Sequence, residues 1–405
     1  MKENFTVISF GNYETKILIC TFIENNLFPI YKKSFLTKNC FQESEIIDEE
    51  LLIETLDKEF KKLPISLKST NLILNIPLKN LEIVNSCKEA VPVNSNITKE
   101  GLIDLVENFG QKNIPSEKME LDKKIINWKM NNKAYSYFPN INENTTSFGW
   151  NINTYLVKKS VVEKYKHIFE EYFNLEPKMI TCDSLVMNQL FLNKERKSKI
   201  LVNIGHLKSS FERYENGVLV NQTSYDFGIR HLTSEIGKIG SIDEEKSIEL
   251  LKIYKSISSF NKNLALINHF KEKYMHYSQT TIQDIKKQIF IWIKNLIYLL
   301  NYYTQKSKLD FLGVDEIYIF SSMNILDSWF PYIRENLEKR ADIFAIEPNV
   351  FSIKESKYCS LIASIMHYIN TKINGELLIN KIYNNYPTKK ISAGTSKMEN
   401  TDSSN

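Results

Sequence analysis

The chain has 405 residues, of which 42% are hydrophobic and 25% are charged, a composition typical of globular proteins. Its net charge of +4 is small and spread along the chain, so we expect no nucleic-acid partner. Because a single hydrophobic core stops growing near ~250–300 residues, this length predicts at least two domains.

The five cysteines are far apart and lack the spacing of a metal site or a disulfide framework. We therefore expect reduced, buried thiols in a cytoplasmic protein. Residues 1–30 lack the basic segment followed by an apolar run that a secretory signal requires, which favours the same location.

Short apolar runs on either side of a Gly11-Asn12 turn predict two strands joined by a tight loop, and a third strand follows. Apolar residues on one face predict a helix over residues 48–63. A buried strand is predicted over residues 71–76, ending before Pro77 because proline cannot donate to a strand ladder. This order of elements indicates an α/β domain.

Between residues 81 and 159 the pattern changes to strands separated by Asn-rich turns, with one helix predicted after Thr98, a suitable N-cap. We interpret this segment as a small inserted α+β subdomain. The first domain, residues 1–80 and 160–197, then resumes with a helix over 161–173. A strand over 179–182 and a helix over 184–192 complete it.

The strand-loop-strand pattern of the N-terminus recurs from Ile200, with Gly205 in the loop and a Glu-Asn-Gly turn after the second strand. We expect residues 198–227 and 308–386 to form a second α/β subdomain, with strands over 317–320 and 342–345 and a last helix over 358–373. Residues 387–405 are rich in Ser, Thr, Asn and Lys, which predicts a disordered tail.

Residues 228–307 are predicted to form a helical subdomain. They include the longest apolar stretch, residues 289–303, which contains Lys294 and is shorter than the ~20 residues that cross a bilayer. Apolar residues recur there every three or four positions, which predicts a helix with one face on a core. These residues are Ile282, Ile285, Ile289, Ile293, Leu296, Leu300 and Tyr303.

The two glycine-containing loops resemble the phosphate loops of the actin-like ATPase superfamily. Residues 9–16, SFGNYETK, are similar to Asp-Ile-Gly-Thr-Ser-Asn-Thr-Lys, and residues 203–210, NIGHLKSS, are similar to Asp-Ile-Gly-Gly-Gly-Thr-Thr-Asp. Within the superfamily the chain resembles FtsA, a family of bacterial cell-division proteins. The insertion with its VPVNSNITKE segment (residues 91–100), residues 223–236 and the closing helix carry this resemblance.

The resemblance implies an α/β, actin-like two-domain fold of duplicated ribonuclease-H-like halves, with an FtsA-type inserted α+β subdomain. It also implies a site for ATP with Mg²⁺ between the halves. The residues that match the family's nucleotide-binding positions are Gly11, Asn12, Lys16, Asn203, Gly205, Lys208, Ser209, Ser321 and Ser322.

The same positions have lost much of the family's chemistry. Ser9, Asn203 and Ser210 stand where the family pattern has aspartate, although Mg²⁺ prefers oxygen ligands and hydrolysis needs a positioned water. His206 and Leu207 replace family glycines, in a chain with only 12 glycines. We therefore expect hydrolysis to be lost and assign no catalytic residue and no metal ligand. Whether nucleotide still binds is left open.

Lys16 has two interpretations, a phosphate ligand or a strand-edge lysine in water.

The resemblance further implies a cytoplasmic adaptor at the inner face of the cell membrane at the division site. It would bind the C-terminal tail of FtsZ through residues 228–307 and self-associate into protofilaments. Because the last residues lack an amphipathic helix, membrane contact is expected to be indirect.

Two alternatives remain at this point. The first is an active ATPase of the same fold that uses other groups, such as Glu14 or Asp226. The second is an adaptor of pilus assembly similar to PilM, which shares the fold and the inserted subdomain.

Overall fold

Two five-stranded sheets with the same topology form the centre of the molecule. The structure is a computed structural model. It describes residues 2–42, 45–78, 81–92, 114–131, 133–135, 146–191, 198–259, 282–310, 314, 316–321, 333, 342–346, 350 and 353–373.

The first sheet has the order β11-β6-β1-β2-β3. The first three strands form an antiparallel meander, and the last two lie parallel to β1 on its other side. The strands are β1 (Lys2–Ser9), β2 (Glu14–Ile23), β3 (Asn26–Leu36), β6 (Asn71–Asn75) and β11 (Met179–Thr181).

Helices cover one face of this sheet and close its core. Helix α1 (Glu49–Phe60) begins at Asp48, whose side chain accepts a hydrogen bond from the backbone N–H of Leu51. Helix α2 (Lys159–His167) continues as a π-helical turn, Ile168–Tyr172. A two-residue hairpin pair, β4 (Phe41–Gln42) and β5 (Glu45–Ile46), lies before α1.

The second sheet repeats this connectivity in the order β14-β13-β12-β15-β16. An antiparallel meander is again followed by two parallel strands. The strands are β12 (Lys199–Ile204), β13 (Ser209–Glu215), β14 (Val218–Tyr225), β15 (Glu316–Ser321) and β16 (Asp342–Ala345). The predicted repetition of the N-terminal strand-loop-strand pattern is therefore confirmed.

A third, antiparallel sheet is inserted in the chain between β6 and α2, with the order β7-β10-β8-β9. It contacts the second half, because the Tyr155 hydroxyl and the Asn153 amide both donate to the Leu219 carbonyl, at 2.7 and 2.9 Å. Its strands are β7 (Glu82–Pro92), β8 (Lys118–Met130), β9 (Lys133–Tyr135) and β10 (Ser147–Lys158).

Three helices pack against the second sheet: α4 (Ile229–Gly240), α5 (Glu244–Ser259) and α6 (Ile282–Asp310). The predicted core face of α6 is confirmed, since Ile285, Leu296 and Leu300 are fully buried. In the part of the chain that the structure describes, no helix combines the length and the apolar character needed to span a membrane.

The helix predicted over 184–192 is shorter than expected. Helix α3 (Asp183–Val186) passes into a 3-10 turn, Met187–Leu190, and the chain becomes extended at Phe191. The Phe191 ring stacks on Tyr318 of the second half, with ring centroids 4.5 Å apart. The helix ends before Phe191 because this contact requires an extended backbone there.

The last described helix, α7 (Cys359–Tyr368), packs between the two halves. Leu361 and Ile365 join a cluster with Phe5 of the first sheet. Cys359 and Ala363 join another cluster, which contains Leu201, Tyr214 and Tyr318 of the second sheet. Helix α7 therefore connects the two halves through apolar contact.

Several predictions fall outside the described residues: the helix after Thr98, Ser322 and the tail over 387–405. The predicted domain boundaries also stay predictions.

The expectation of buried thiols needs one correction. Cys87 is exposed, because it lies on the outer strand β7 of the inserted sheet, whereas the other four cysteines are buried; all five are free.

Candidate functional site

The loops of the two repeated hairpins meet where the halves of the molecule face each other. The first loop joins β1 to β2 and the second joins β12 to β13. Tyr13 of the first loop lies against His206 of the second, with ring centroids 4.6 Å apart. The side chains of Tyr13 and His206 therefore occupy the space between the two loops.

The first loop folds tightly because Gly11 allows a close approach of the backbone. A Cβ atom at this position would lie 2.9 Å from the Glu14 carbonyl oxygen. The backbone N–H of Thr37, after β3, donates to the Tyr13 carbonyl at 3.0 Å. Together these contacts fix the direction in which Tyr13 leaves the loop.

Lys16 lies beneath this loop and is not the strand-edge lysine in water that one interpretation expected. Strand β2 is paired on both sides, and Lys16 is only 5% exposed. Its ammonium group lies 3.4 Å from the Glu14 carboxylate. The neighbouring acid therefore offsets the positive charge that a phosphate would otherwise meet.

Tyr13 crosses from the first half into the core of the second. It is 6% exposed and belongs to the cluster that contains Ile204, Phe211 and Trp292. Burial, together with the nearby carboxylates of Glu245 and Glu244, raises the pKa of its hydroxyl to about 12. At the aligned position the family pattern has a serine, so this ring occupies space that a small side chain would leave open.

The second loop is equally compact. Gly205 is needed because a Cβ atom there would lie 2.8 Å from the Lys208 carbonyl oxygen. The first N–H groups of α4 are used by the loop itself: Ile229 donates to the Gly205 carbonyl at 3.1 Å and Arg230 to the His206 carbonyl at 2.8 Å. The N-terminus of a helix commonly binds anions, but these two donors already have protein partners.

His206 fixes the position of the second loop through Glu244, at the start of α5. Its Nε2 lies 2.8 Å from a Glu244 carboxylate oxygen. Burial lowers the pKa of the imidazole, although the Glu244 carboxylate acts in the opposite direction. Tyr13, His206 and Glu244 thus form a contact chain from the first loop to α5, here called the cleft bridge.

A cavity of about 660 Å³ opens beside the cleft bridge. Its wall includes the cations Lys38, Lys208 and Arg230, and each faces a carboxylate. Lys38 pairs with Glu245, Lys208 lies 2.9 Å from Asp226, and Arg230 lies 4.0 Å from Glu244. The cavity is therefore polar, with its charges already arranged in opposite pairs.

Deeper between the sheets, Asp183 at the start of α3 links the ends of two strands. The Asn75 amide of β6 donates to one carboxylate oxygen at 2.8 Å, and the Asn203 amide of β12 donates to the other at 3.2 Å. The hydrogen bonds of Asp183 therefore join the first sheet to the second.

A second acidic group, Glu212 on β13, is fully buried. The hydroxyls of Ser184 and Ser210 donate to one of its oxygens at 2.7 Å each, and the Tyr214 hydroxyl lies 2.8 Å from the other. Burial raises the pKa of Glu212 despite these hydrogen bonds. Through Ser184 this group also joins the halves.

The structure brings most of the sequence-predicted site residues to this junction. Asn12 and Lys208 line the cavity. Ser209 is buried and donates to the Phe227 carbonyl, and Ser321 is buried opposite Ile204 in the sheet. The remaining predicted residues lie on or beneath the loops as described above, except Ser322, which is outside the described residues.

Sequence reasoning missed Tyr13, Asp183 and Glu212. Tyr13 carried a signal, since a large ring replaces a serine in the aligned family motif. Glu212 lies between Phe211 and Arg213 in a strand that mixes apolar and charged residues, and a glutamate there is usually expected to face solvent. Asp183 stands next to the predicted helix 184–192, where an acidic residue is typical of an N-terminus.

The residues present do not fit a magnesium triphosphate held between the two loops. The Tyr13 ring occupies that space, two N–H groups at the start of α4 are already bonded, and the Glu14 carboxylate faces Lys16. Within the ranges described, no group of three or more His, Cys, Asp or Glu side chains could hold a metal ion. ATP with Mg²⁺ at these positions stays a prediction, and this geometry argues against tight binding there.

Neither a family model nor a curated protein sequence matches the chain. Solved structures do match its fold. A chain of the PilM-PilN type IV pilus biogenesis complex is 10% identical, with 90% of this chain and 98% of that chain covered and a TM-score of 0.56. The ethanolamine utilization protein EutJ from Carboxydothermus hydrogenoformans is 9% identical, with coverages of 90% and 89% and a TM-score of 0.50. MreB5 of Spiroplasma citri bound to ADP is 10% identical, with coverages of 92% and 98% and a TM-score of 0.49.

At such low identity these matches show the fold alone. The chain has the mixed α/β, two-domain fold of actin-like ATPases, so the predicted fold class is confirmed. Fold similarity of this kind does not decide between the FtsA and PilM families, and it carries no activity over to this chain.

Proposed function

We propose that this chain is an assembly adaptor that uses the actin-like fold as a scaffold and does not hydrolyse ATP at a useful rate. The observation that carries the proposal is the cleft bridge. Tyr13, His206 and Glu244 connect the two halves at the place where a phosphate chain would lie. Phosphoryl transfer depends on positioning the phosphates and stabilising their charge, and this arrangement supplies neither.

The state of the cations supports the same proposal. Lys16, Lys38 and Lys208 each lie beside a carboxylate. An incoming triphosphate would have to break these pairs and would then meet the released carboxylates as like charges. Nucleotide binding should therefore be weak in the wild-type protein.

Phosphate release and calorimetry test the loss of ATPase activity. With ATP and Mg²⁺ we expect no phosphate release above that of heat-inactivated protein, and little heat of binding. Release above that control would favour the active-ATPase alternative instead. In that case Glu14→Gln and Asp226→Asn, tested separately, would show whether either carboxylate takes part.

The partner follows from the resemblance to FtsA. We propose that the chain acts at the division site, on the inner face of the cell membrane, by binding the C-terminal tail of FtsZ and by self-association. Basic side chains in the helical region support an acidic peptide partner. Arg230 and Lys238 on α4 are well exposed, with 62% and 68% of their side-chain surface accessible.

Fluorescence anisotropy with a labelled FtsZ tail peptide tests this partner. The Arg230→Glu/Lys238→Glu variant should bind at least about tenfold more weakly than wild type, because two attractive charges become repulsive. Lys58→Glu/Lys61→Glu, on the exposed side of α1, is a control with the same change in net charge. Wild-type binding that is absent, or that both variants reduce equally, would count against the proposal.

A second candidate function is an adaptor of pilus assembly. The observation that favours it is the match to a chain of the PilM-PilN complex, which covers 98% of that chain with a TM-score of 0.56. Peptides that tile the sequence of a PilN protein, measured in the same anisotropy assay, separate the two candidates. Tighter binding of one such peptide than of the FtsZ tail would favour the PilM-like function.

A further inference from the structure

The outward face of α6 combines apolar and basic side chains. One face of this 29-residue helix is buried on the second half, as described above. On the other side, large apolar residues are exposed to unusual extents: Phe290 41%, Ile291 43%, Tyr298 69% and Tyr302 47%. We call this side the outer face of α6.

The charges on the outer face are mostly basic. Helix α6 contains five lysines, with Asp284 and Asp310 near its two ends. Lys286, Lys287, Lys294 and Lys306 are exposed. The Lys294 ammonium lies 4.6 Å from the centre of the Phe290 ring, so cations and aromatic rings alternate along the surface rather than forming separate patches.

The shape of this surface limits what can cover it. Positions 290, 294, 298 and 302 are four residues apart, which places them along one side of a helix. Residues 286–306 span about 30 Å at ~1.5 Å per residue. Because the opposite side of α6 packs on the core, the described residues of the outer face form the convex side of a helix. A bound peptide is usually held in a groove, whereas a flat surface can meet a ridge along its whole length.

We propose that the outer face of α6 binds the surface of a membrane that contains anionic lipids. The lysines contact the lipid phosphates, while Phe290, Ile291, Tyr298 and Tyr302 enter the interfacial layer. Tyrosine is enriched at that depth, and a basic polar flank with apolar residues is typical of helices that lie in the interface. Each lysine adds attraction to an anionic leaflet. This contact is independent of the proposed peptide partner, and it would give the chain direct membrane contact.

Sedimentation with vesicles tests the proposal on the full chain. Wild type should bind vesicles of phosphatidylcholine mixed with phosphatidylglycerol, and its binding to phosphatidylcholine alone should be at least about tenfold weaker. Raising the salt concentration should weaken the binding, because exposed charges are screened. No binding to the anionic vesicles would overturn the proposal and leave an acidic protein partner as the occupant of this face.

Two variants locate the contact. Lys286→Glu/Lys287→Glu should lower the affinity for anionic vesicles at least about tenfold, whereas Lys58→Glu/Lys61→Glu on α1 should change it far less. An equal loss in both would show attraction by net charge alone and would overturn the assignment to α6. Tyr298→Ser/Tyr302→Ser should also weaken binding while all the lysines remain.

Tryptophan fluorescence reports whether a given position enters the membrane interface, separately from the binding affinity. In Tyr298→Trp, the indole emission should shift to shorter wavelength when anionic vesicles are added, because position 298 enters the interface. The indole of a second variant, Tyr172→Trp, serves as the control, since Tyr172 is 58% exposed in the first half of the molecule. A shift at position 172 and none at position 298 would contradict the proposal.

Discussion

Replacing Tyr13 with alanine is expected to lower the free energy of unfolding by about 3 kcal/mol and, at the same time, to create affinity for ATP. The loss of stability follows from the burial of Tyr13, which is 6% exposed in the core of the second half. The gain of affinity follows from its position, since the ring fills the space between the two loops and packs on His206.

Chemical unfolding and calorimetry with ATP and Mg²⁺ measure the two effects. Tyr303→Ala is a matched control, because Tyr303 is 5% exposed in the same cluster but lies on α6 and belongs to neither loop. It should cost similar stability and leave nucleotide binding at the wild-type level. Adding Asn203→Asp to Tyr13→Ala restores a carboxylate of the family pattern next to Asp183, to which the Asn203 amide donates. The two like charges should lower stability without Mg²⁺, and nucleotide binding should strengthen when Mg²⁺ is present.

Two results would contradict this account of the cleft. If wild type binds ATP as tightly as Tyr13→Ala does, the cleft bridge does not obstruct the site. If Tyr13→Ala unfolds at the same denaturant concentration as wild type, the ring is not part of the core between the halves.

Removal of the Glu212 carboxyl group should also have a large effect. Glu212→Ala is expected to lower the free energy of unfolding by about 3 kcal/mol, because buried hydroxyls lose a hydrogen-bond partner. Those hydroxyls belong to Ser184, Ser210 and Tyr214. Since Ser184 lies on α3 and Glu212 on β13, the loss should loosen the contact between the halves. Urea unfolding measures the stability of the two proteins under the same conditions.

Glu212 should also make stability depend on pH, with a defined sign. Burial raises its pKa above the ordinary value of 4.5. Above that pH the unfolded chain releases the proton while the folded protein still holds it, so the folded state binds more protons. The contribution of this group is therefore complete below pH 4.5 and is lost as the pH rises through the folded pKa.

Glu212→Gln isolates this dependence, because the amide keeps the size of the side chain and has no titratable proton. Between about pH 4 and about pH 8 the variant should lose less stability than wild type. Glu54→Gln, at an exposed position of α1, is the control for removing one carboxyl group at the surface. If wild type becomes more stable over this range and Glu212→Gln does not, the effect of Glu212 has the opposite sign and this explanation is wrong.

Much of the fold could be predicted from local patterns. Apolar runs interrupted at Gly11 and Gly205 located the two hairpins, and the three-to-four spacing from Ile285 to Tyr303 located α6 and its buried face. These features depend on residues close together in the chain, where the period of the side chains follows directly from the period of a strand or helix. The duplicated topology then follows from the same pattern occurring twice.

The content of the cleft could be predicted only in part. The absence of aspartate at Ser9, Asn203 and Ser210 is plain in the sequence. Lys16 is buried beside Glu14 in a strand that is paired on both sides, so it is neither a free phosphate ligand nor a lysine in water. Only the assembled sheet shows this. The burial of Glu212 required the same, because the sequence of a strand does not tell which side faces water when both sides are covered.

The sequence by itself determined most of the described strands and helices, the repetition of the hairpins and the loss of the family's acidic residues. Only the tertiary structure decided that Tyr13 reaches His206, and that Asp183 joins Asn75 to Asn203. The physical reason is distance along the chain: these partners are far apart in sequence, and their contact depends on how two separately formed sheets pack. Local propensity carries no information about that packing, whereas burial, hydrogen bonding and charge pairing across the junction depend on it entirely.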